Sequence, residues 1–209
     1  MIETQKLTLF LTASIILAAT PGPGMLYVLS RTLAGGKREG ILSSLGTFLG
    51  GMVHVVAAAT GLSIVLASSA IAFSVVKYAG AGYLIYLGIR LIKNAQCDAD
   101  LSSVTLTAGG SPFRQGIVTE VLNPKTALFF LSFIPQFVPK NGSHVFAGFI
   151  LLGMISVTLN TFGDLVAVTL AAPLKQLFTR SRRAQIRQRQ ASGAAMIALG
   201  TYVAVSDSH

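Results

Sequence analysis

Between Ile41 and Ala67 no residue carries a formal charge, and a helix needs about 20 apolar residues to cross the hydrocarbon core of a bilayer. That stretch is not isolated. By the same yardstick the chain offers six candidate spans, at about 7–33, 41–67, 70–92, 115–138, 145–171 and 191–205. Any one of them alone would also suit a helical hairpin buried in a soluble core. Six within 209 residues leave too little polar material to cover such a core: 11% of the residues are charged, where a soluble domain carries about 25%. The sequence predicts an all-α membrane protein with six transmembrane helices.

The chain holds 16 basic and 7 acidic residues, a net charge of +9. Alone, that balance suggests a nucleic-acid or anionic-surface binder. Its distribution says otherwise. Lys175 to Arg189 contains six basic residues and no acid, and the 10 basic and 7 acidic residues elsewhere leave only +3. Trp is absent, so no aromatic-rich basic patch arises, and no nucleic-acid partner is expected. Basic residues hold loops on the cytoplasmic side of a membrane and meet anionic lipid headgroups. The first, third and fifth connections carry Arg31, Lys37 and Arg38; Arg90, Lys93 and Arg114; then Lys175, Arg180, Arg182, Arg183, Arg187 and Arg189. The opposite side carries Lys6, Lys77 and Lys140. This asymmetry predicts three cytoplasmic loops and both termini outside the cytoplasm.

Several chemistries are missing. Cys97 is the one cysteine, so no disulfide, CxxC pair or thiolate cluster can form within the chain. His54, His144 and His209 are isolated, and neither a Walker A motif nor HExxH occurs. No cofactor, metal site or catalytic group is expected. Met1 to Lys6 lacks the basic start of a secretory signal, so the first apolar stretch is expected to remain in the mature protein.

Residues 94–113, rich in Ser and Thr and ending Gly109-Gly110-Ser111-Pro112, read as a cytoplasmic linker. It divides the chain into a three-helix half at 1–93 and a second at 114–209, the latter with a basic cytoplasmic loop at 174–190. Three helices per half force the second half to enter the membrane from the other side, the inverted-repeat plan of many secondary transporters. The halves carry matching interruptions. Pro21-Gly22-Pro23-Gly24 breaks the first helix and Asn123-Pro124 the fourth, with Pro23 and Pro124 101 positions apart. Gly46 and Gly50 fall near the register of Gly148 and Gly153.

A proline inside a helix removes a hydrogen bond and costs about 3 kcal/mol or more. In hydrocarbon the freed carbonyls find no water, so such breaks persist only against protein or a wet cavity. The half-helix starting near Met25 presents unpaired N–H groups suited to a carboxylate. Four polar side chains sit at membrane depth: His54, Glu120, Lys125 and Asp164. Each needs a partner or a cavity there. Glu120 and Asp164 are the candidates for proton coupling, although Glu120 and Lys125 can also simply neutralise one another. Lys125 is a candidate counter-ion for a substrate carboxylate. His54 suits either a proton shuttle or an interhelical hydrogen bond. Gly46-Thr-Phe-Leu-Gly50 is a GxxxG pattern for close helix packing, inside the bundle or in a homodimer.

The run Ala19-Thr20-Pro21-Gly22-Pro23-Gly24, followed by Gly36 to Gly40, Gly46 to Gly51 and His54, resembles the lysine exporter superfamily, more narrowly its homoserine/threonine/lactone efflux branch. Lys77 to Gly88, Phe113 to Gly116, Asn123-Pro124-Lys125, Phe133 to Phe137 and the basic run at 180–189 continue the resemblance over nearly the whole chain. It implies an exporter of amino acids or close derivatives in a bacterial inner membrane, driven by proton antiport. It also implies that Pro21, Gly22, Pro23, Asn123 and Pro124 form the paired breaks at the substrate site, beside which Gly24 and Lys125 are candidate substrate-binding residues. One departure is Gly24, where such proteins often carry Asn or Asp. The rival readings are an intramembrane enzyme acting on a lipid-linked substrate, and a small-ion permease.

Overall fold

The computed structural model describes residues 4–62, 70–93, 95, 110–138, 144–171 and 182–205. Within them every regular element is helical. The seven α-helices are α1 Thr4–Ala19, α2 Pro23–Ala57, α3 Ala70–Lys93, α4 Pro112–Val121, α5 Pro124–Leu128, α6 Val145–Thr169 and α7 Arg182–Val205. Most of the expected linker, the start of the basic segment before Arg182, Cys97 and Lys140 lie outside the described residues. From Arg182 onward the basic segment forms the first turns of α7.

Local chemistry sets the helix ends. α1 stops one residue short of Thr20, which precedes Pro21, because a residue before proline is pushed out of helical geometry. The Thr20 hydroxyl closes the last turn by donating to Ile16 O at 2.7 Å. The chain is non-helical over Thr20–Gly22 and resumes with Pro23 at the first helical position, where a missing N–H costs nothing. The interruption is therefore narrower than the four breakers suggest, and Gly24 lies inside α2. α4 ends at Val121, and Asn123 caps α5 by accepting the Lys125 N–H at 3.0 Å, again with Pro at the first position. α5 runs on through a π-helical turn at Phe129–Phe133 and a 3-10 turn at Ile134–Gln136.

α2 is not one rod. Gly36 has φ 83 and ψ −179, a left-handed conformation open to glycine. The contacts on either side show a hairpin. Gly24 lies near Thr47, and Gly40 faces Thr32. Tyr27 reaches Pro112 while Gly24 meets Glu120, so this limb runs against α4. Gly46 meets Phe113 and Gly50 meets Ile117, so the later limb runs alongside it. The turn is tight enough to leave no coil between the first two expected segments. By length and composition, residues 23–61 and 145–169 are each apolar enough to cross a membrane. The segments 112–121 and 124–136, bent by 44° at the break, make a third if read as one broken span.

Close backbone contacts hold the helices together. Gly46, Gly50 and Gly116 let the later limb of α2 lie directly on α4, and Gly51 faces Val157 of α6. The GxxxG pattern is thus used within the chain. Gly88 and Gly193 place α3 against α7 in the same manner. An aromatic stack fills the space beside the second break: Phe129 and Phe133 lie 4.9 Å apart and Phe133 and Phe137 4.8 Å, with Phe10 of α1 5.5 Å from Phe137. Such pairs add about 0.5–1.5 kcal/mol each beyond burial. Conversely, Ile71, Val75, Leu122, Leu151 and Phe162 point outward and are more than half exposed. That apolar exterior suits lipid rather than water.

One polar cluster ties the α2 hairpin to the start of α4. Buried Arg31 donates to Tyr27 Oη at 3.2 Å, to Gly110 O at 3.2 Å and to Gln115, and pairs with Glu39 at 3.3 Å. Tyr27 in turn donates to Pro112 O at 2.9 Å. The basic turn at 31–39 and the residues entering α4 therefore share one end of the molecule. Arg31→Met keeps the stem and removes these donors. It is expected to destabilise the protein by about 2 kcal/mol, the scale of buried acceptors left unpaired, read as earlier thermal unfolding in detergent.

Candidate functional site at the two helix breaks

The two breaks face each other. A proline-interrupted helix leaves its last carbonyls without helical partners, and at the end of α1 a side chain from the other break supplies donors. Lys125 Nζ donates to Thr20 O at 2.8 Å and to Leu17 O at 3.0 Å. An ammonium also suits the negative end of a helix dipole. The lysine stem passes over Gly22: a Cβ on residue 22 would stand 3.1 Å from Cε and 3.2 Å from Cδ.

Glu120, in the last turn of α4, folds its carboxylate into the second break. Oε1 accepts from the Thr126 hydroxyl at 2.5 Å, and Oε2 accepts from Asn123 Nδ2 at 3.0 Å. The same Oε2 lies against Gly24, where a Cβ would collide with it. Glu120 and Lys125 are thus committed to separate partners rather than to each other. The Glu120 backbone carbonyl accepts from His54 at 3.0 Å. A carbonyl only accepts, so His54 bears its proton on Nε2 and acts as an interhelical tie, stacked against Phe130 at 6.0 Å.

Asp164 projects from α6 toward the same place. Its Oδ2 accepts from the Thr47 hydroxyl at 2.8 Å, and Thr47 Oγ1 also lies 2.9 Å from Ser44 O. Glu120, Asn123, Lys125, Thr126 and Asp164 are all buried. Gly22, Asn123, Lys125, Glu120 and Asp164 line one cavity with Thr47, Asn160, Thr161, Ala18, Met25, Gly51 and Val157. Its free volume is about 20 Å³, room for about one water. Anything as large as an amino acid enters only if the walls part.

Of the residues singled out in the sequence, Gly22, Asn123, Lys125, Glu120 and Asp164 converge on this cavity. Gly24 touches it through Glu120. Pro21, Pro23 and Pro124 shape the breaks without lining it. Sequence reasoning missed Thr47, Thr126, Asn160 and Thr161, because uncharged polar residues do not stand out in an apolar chain. Helical spacing would have found Asn160, one turn before Asp164 on the same face. Among the described residues no group of His, Cys, Asp and Glu is arranged to hold a metal.

Comparison with known proteins bears on what such a cavity is for. The LysE type translocator family model matches residues 15–207. A leucine efflux protein of Salmonella typhimurium is 28% identical over 144 residues, covering 68% of each chain. The uncharacterized membrane protein YrhP of Bacillus subtilis is 34% identical over 148 residues, 66% of this chain and 70% of that one. An uncharacterized membrane protein of Vibrio cholerae is 27% identical over 198 residues, 94% of this chain and 95% of its own. No solved structure matches. The chain belongs to the LysE type translocator family and is a membrane transporter rather than an enzyme.

Proposed function

We propose that the protein is a secondary exporter of an amino acid or close derivative in a bacterial inner membrane, working by proton antiport. The observation that carries this reading is the meeting of two broken helices around one closed, charged cavity. A zwitterion needs both signs of charge at such a place, and Lys125, Glu120 and Asp164 supply them. The relatives named for leucine efflux point to an apolar amino acid, and Ala18, Met25, Gly51 and Val157 offer an apolar wall for its side chain.

In this reading the two limbs of α2 belong to separate spans. α1 with the first limb makes one broken span, and α4 with α5 and the turns after it makes another. Together with the later limb, α3, α6 and α7, they give six. Halves 1–93 and 114–209 form inverted repeats, both termini lie outside the cytoplasm, and rocking of the halves opens the cavity to one side at a time. Asp164 and Glu120 exchange the proton.

The test is efflux from vesicles loaded with a panel of amino acids, leucine included, under an imposed pH gradient. Flux of an amino acid that collapses with the gradient is expected; flux indifferent to it would refute antiport. Gly24 offers a second check. Gly24→Ala drives a methyl into Glu120 Oε2, so efflux is expected to fall by about tenfold or more, on the scale of a buried hydrogen bond lost. Glu120→Asp in the same background, one methylene shorter, should recover part of it.

A further inference from the structure

Lys125 is an unusual wall for a cavity that must admit an amino acid. It lines the cavity, and its ammonium already donates to Leu17 O and Thr20 O. A lysine ammonium and the α-ammonium of an amino acid are the same donor: a tetrahedral cation with three N–H bonds. Whatever binds the one is suited to the other. We propose that the Leu17 and Thr20 carbonyls are the binding site for the substrate's ammonium group, and that Lys125 is the internal cation the substrate displaces from it. The inference rests on the amino-acid reading above and names the polarity with which the substrate lies.

Three further observations fit. Gly22 leaves the space that the lysine stem occupies beside the break, where a Cβ would stand 3.1 Å from Cε and 3.2 Å from Nζ, so the backbone accommodates the reach of Lys125 to these carbonyls. The cavity, about 20 Å³ with the lysine in place, gains the volume of that side chain when it swings away. Charge is also conserved. Glu120 and Asp164 are already engaged by Asn123, Thr126 and Thr47, so a buried ammonium displaced without a new anion would be costly, but a zwitterion brings its own carboxylate for Lys125 to meet. The net charge carried by Glu120, Asp164 and Lys125 is then unchanged by the exchange, because a zwitterion adds none.

This arrangement discriminates by both ends of the substrate. An amine without a carboxylate expels Lys125 and brings no anion to meet it, while Glu120 and Asp164 are held by Asn123, Thr126 and Thr47. A hydroxy acid without an ammonium cannot take the carbonyls. A trimethylated amino acid keeps both charges but has no N–H to donate. The experiment uses the amino acid that the wild-type protein exports best in the panel, with analogues of the same side chain: the amino alcohol, the 2-hydroxy acid and the N,N,N-trimethyl derivative. In competition against wild-type efflux, all three are expected to be weaker than the amino acid by about tenfold or more, as for an unpaired buried partner.

In Lys125→Met the internal competitor and the carboxylate partner disappear together. Preference is then expected to invert, with the amino alcohol competing better than the amino acid. Two results would overturn the proposal: a trimethylated analogue as potent as the amino acid on the wild type, or an undiminished preference for the amino acid in Lys125→Met. The wild-type competition decides the matter even if the variant does not insert. Absence of any amine-bearing substrate overturns both this inference and the amino-acid reading, whereas normal efflux with a potent trimethyl analogue overturns this inference alone.

Discussion

Asp164→Asn is expected to weaken efflux driven by a pH gradient strongly while leaving substrate exchange across the same vesicles in place. The hydrogen bonding explains why the variant should still fold. Thr47 has one hydroxyl proton and two acceptors in reach, Ser44 O at 2.9 Å and Asp164 Oδ2 at 2.8 Å. With Asp164 ionised, the hydroxyl donates to it. With Asp164 protonated, the acid donates and Thr47 turns to Ser44. The tie between α2 and α6 therefore survives both loading and release of a proton. Asn imitates the neutral form and holds the tie in that one setting. Coupling between two sites runs at about 1–3 kcal/mol, so gradient-driven efflux should fall roughly 5- to 150-fold. Glu120→Gln is expected to behave in the same way. Its amide can accept from Asn123 and donate to Thr126, whose hydroxyl reverses its role. Unchanged gradient-driven export in both variants would remove these carboxyls from the proton pathway.

Gly46→Val is expected to be the most damaging substitution for stability. A Cβ at residue 46 would collide with the Phe113 carbonyl and stand 3.1 Å from Gly116 Cα, with backbone on both sides. Flexible side chains can yield; backbone cannot without moving a whole helix. Gly116→Val meets Ser43 O at 2.5 Å from the opposite direction. Overpacking costs about 1–3 kcal/mol and at times more, and this contact, between two backbones, belongs at the upper end. Because α4 carries Glu120, displacing it also disturbs the cavity. The expected readouts are loss of folded protein after detergent extraction and a lower unfolding temperature. Gly82→Ala is the control. Nothing lies within 4 Å of its Cβ position, and alanine in a helix is favoured over glycine by about 1 kcal/mol. It should be neutral or stabilising. Equal tolerance of both substitutions would contradict the packing described here.

Much of the site was legible in the sequence, and for a definite reason. Proline's missing N–H marks where a helix must stop, so both breaks were readable from Pro21-Gly22-Pro23-Gly24 and Asn123-Pro124. The cost of burying charge made Glu120, Lys125 and Asp164 stand out in so apolar a chain. The partners were not legible. Glu120 and Lys125 look like a ready ion pair five residues apart, yet each is held elsewhere. Gly24 stood out as one of four helix breakers and as a departure from a family pattern, and its contact with Glu120 supplies a physical role. Likewise, the GxxxG pattern reads first as bundle packing and second as dimerisation, and Gly46 and Gly50 lie against α4.

The sequence by itself determined that the chain is helical, suited to lipid, and broken twice at prolines, because these follow from rules acting over a few residues. Composition decided the surroundings, and backbone chemistry decided the breaks. Only the tertiary structure decided that the breaks meet, and that the carbonyls of Thr20 and Leu17, the latter already accepting the Thr20 N–H at 3.1 Å, take donors from a lysine more than 100 positions away. Local rules say where a hydrogen-bonding group has lost its partner. Which distant donor replaces it depends on how the helices pack.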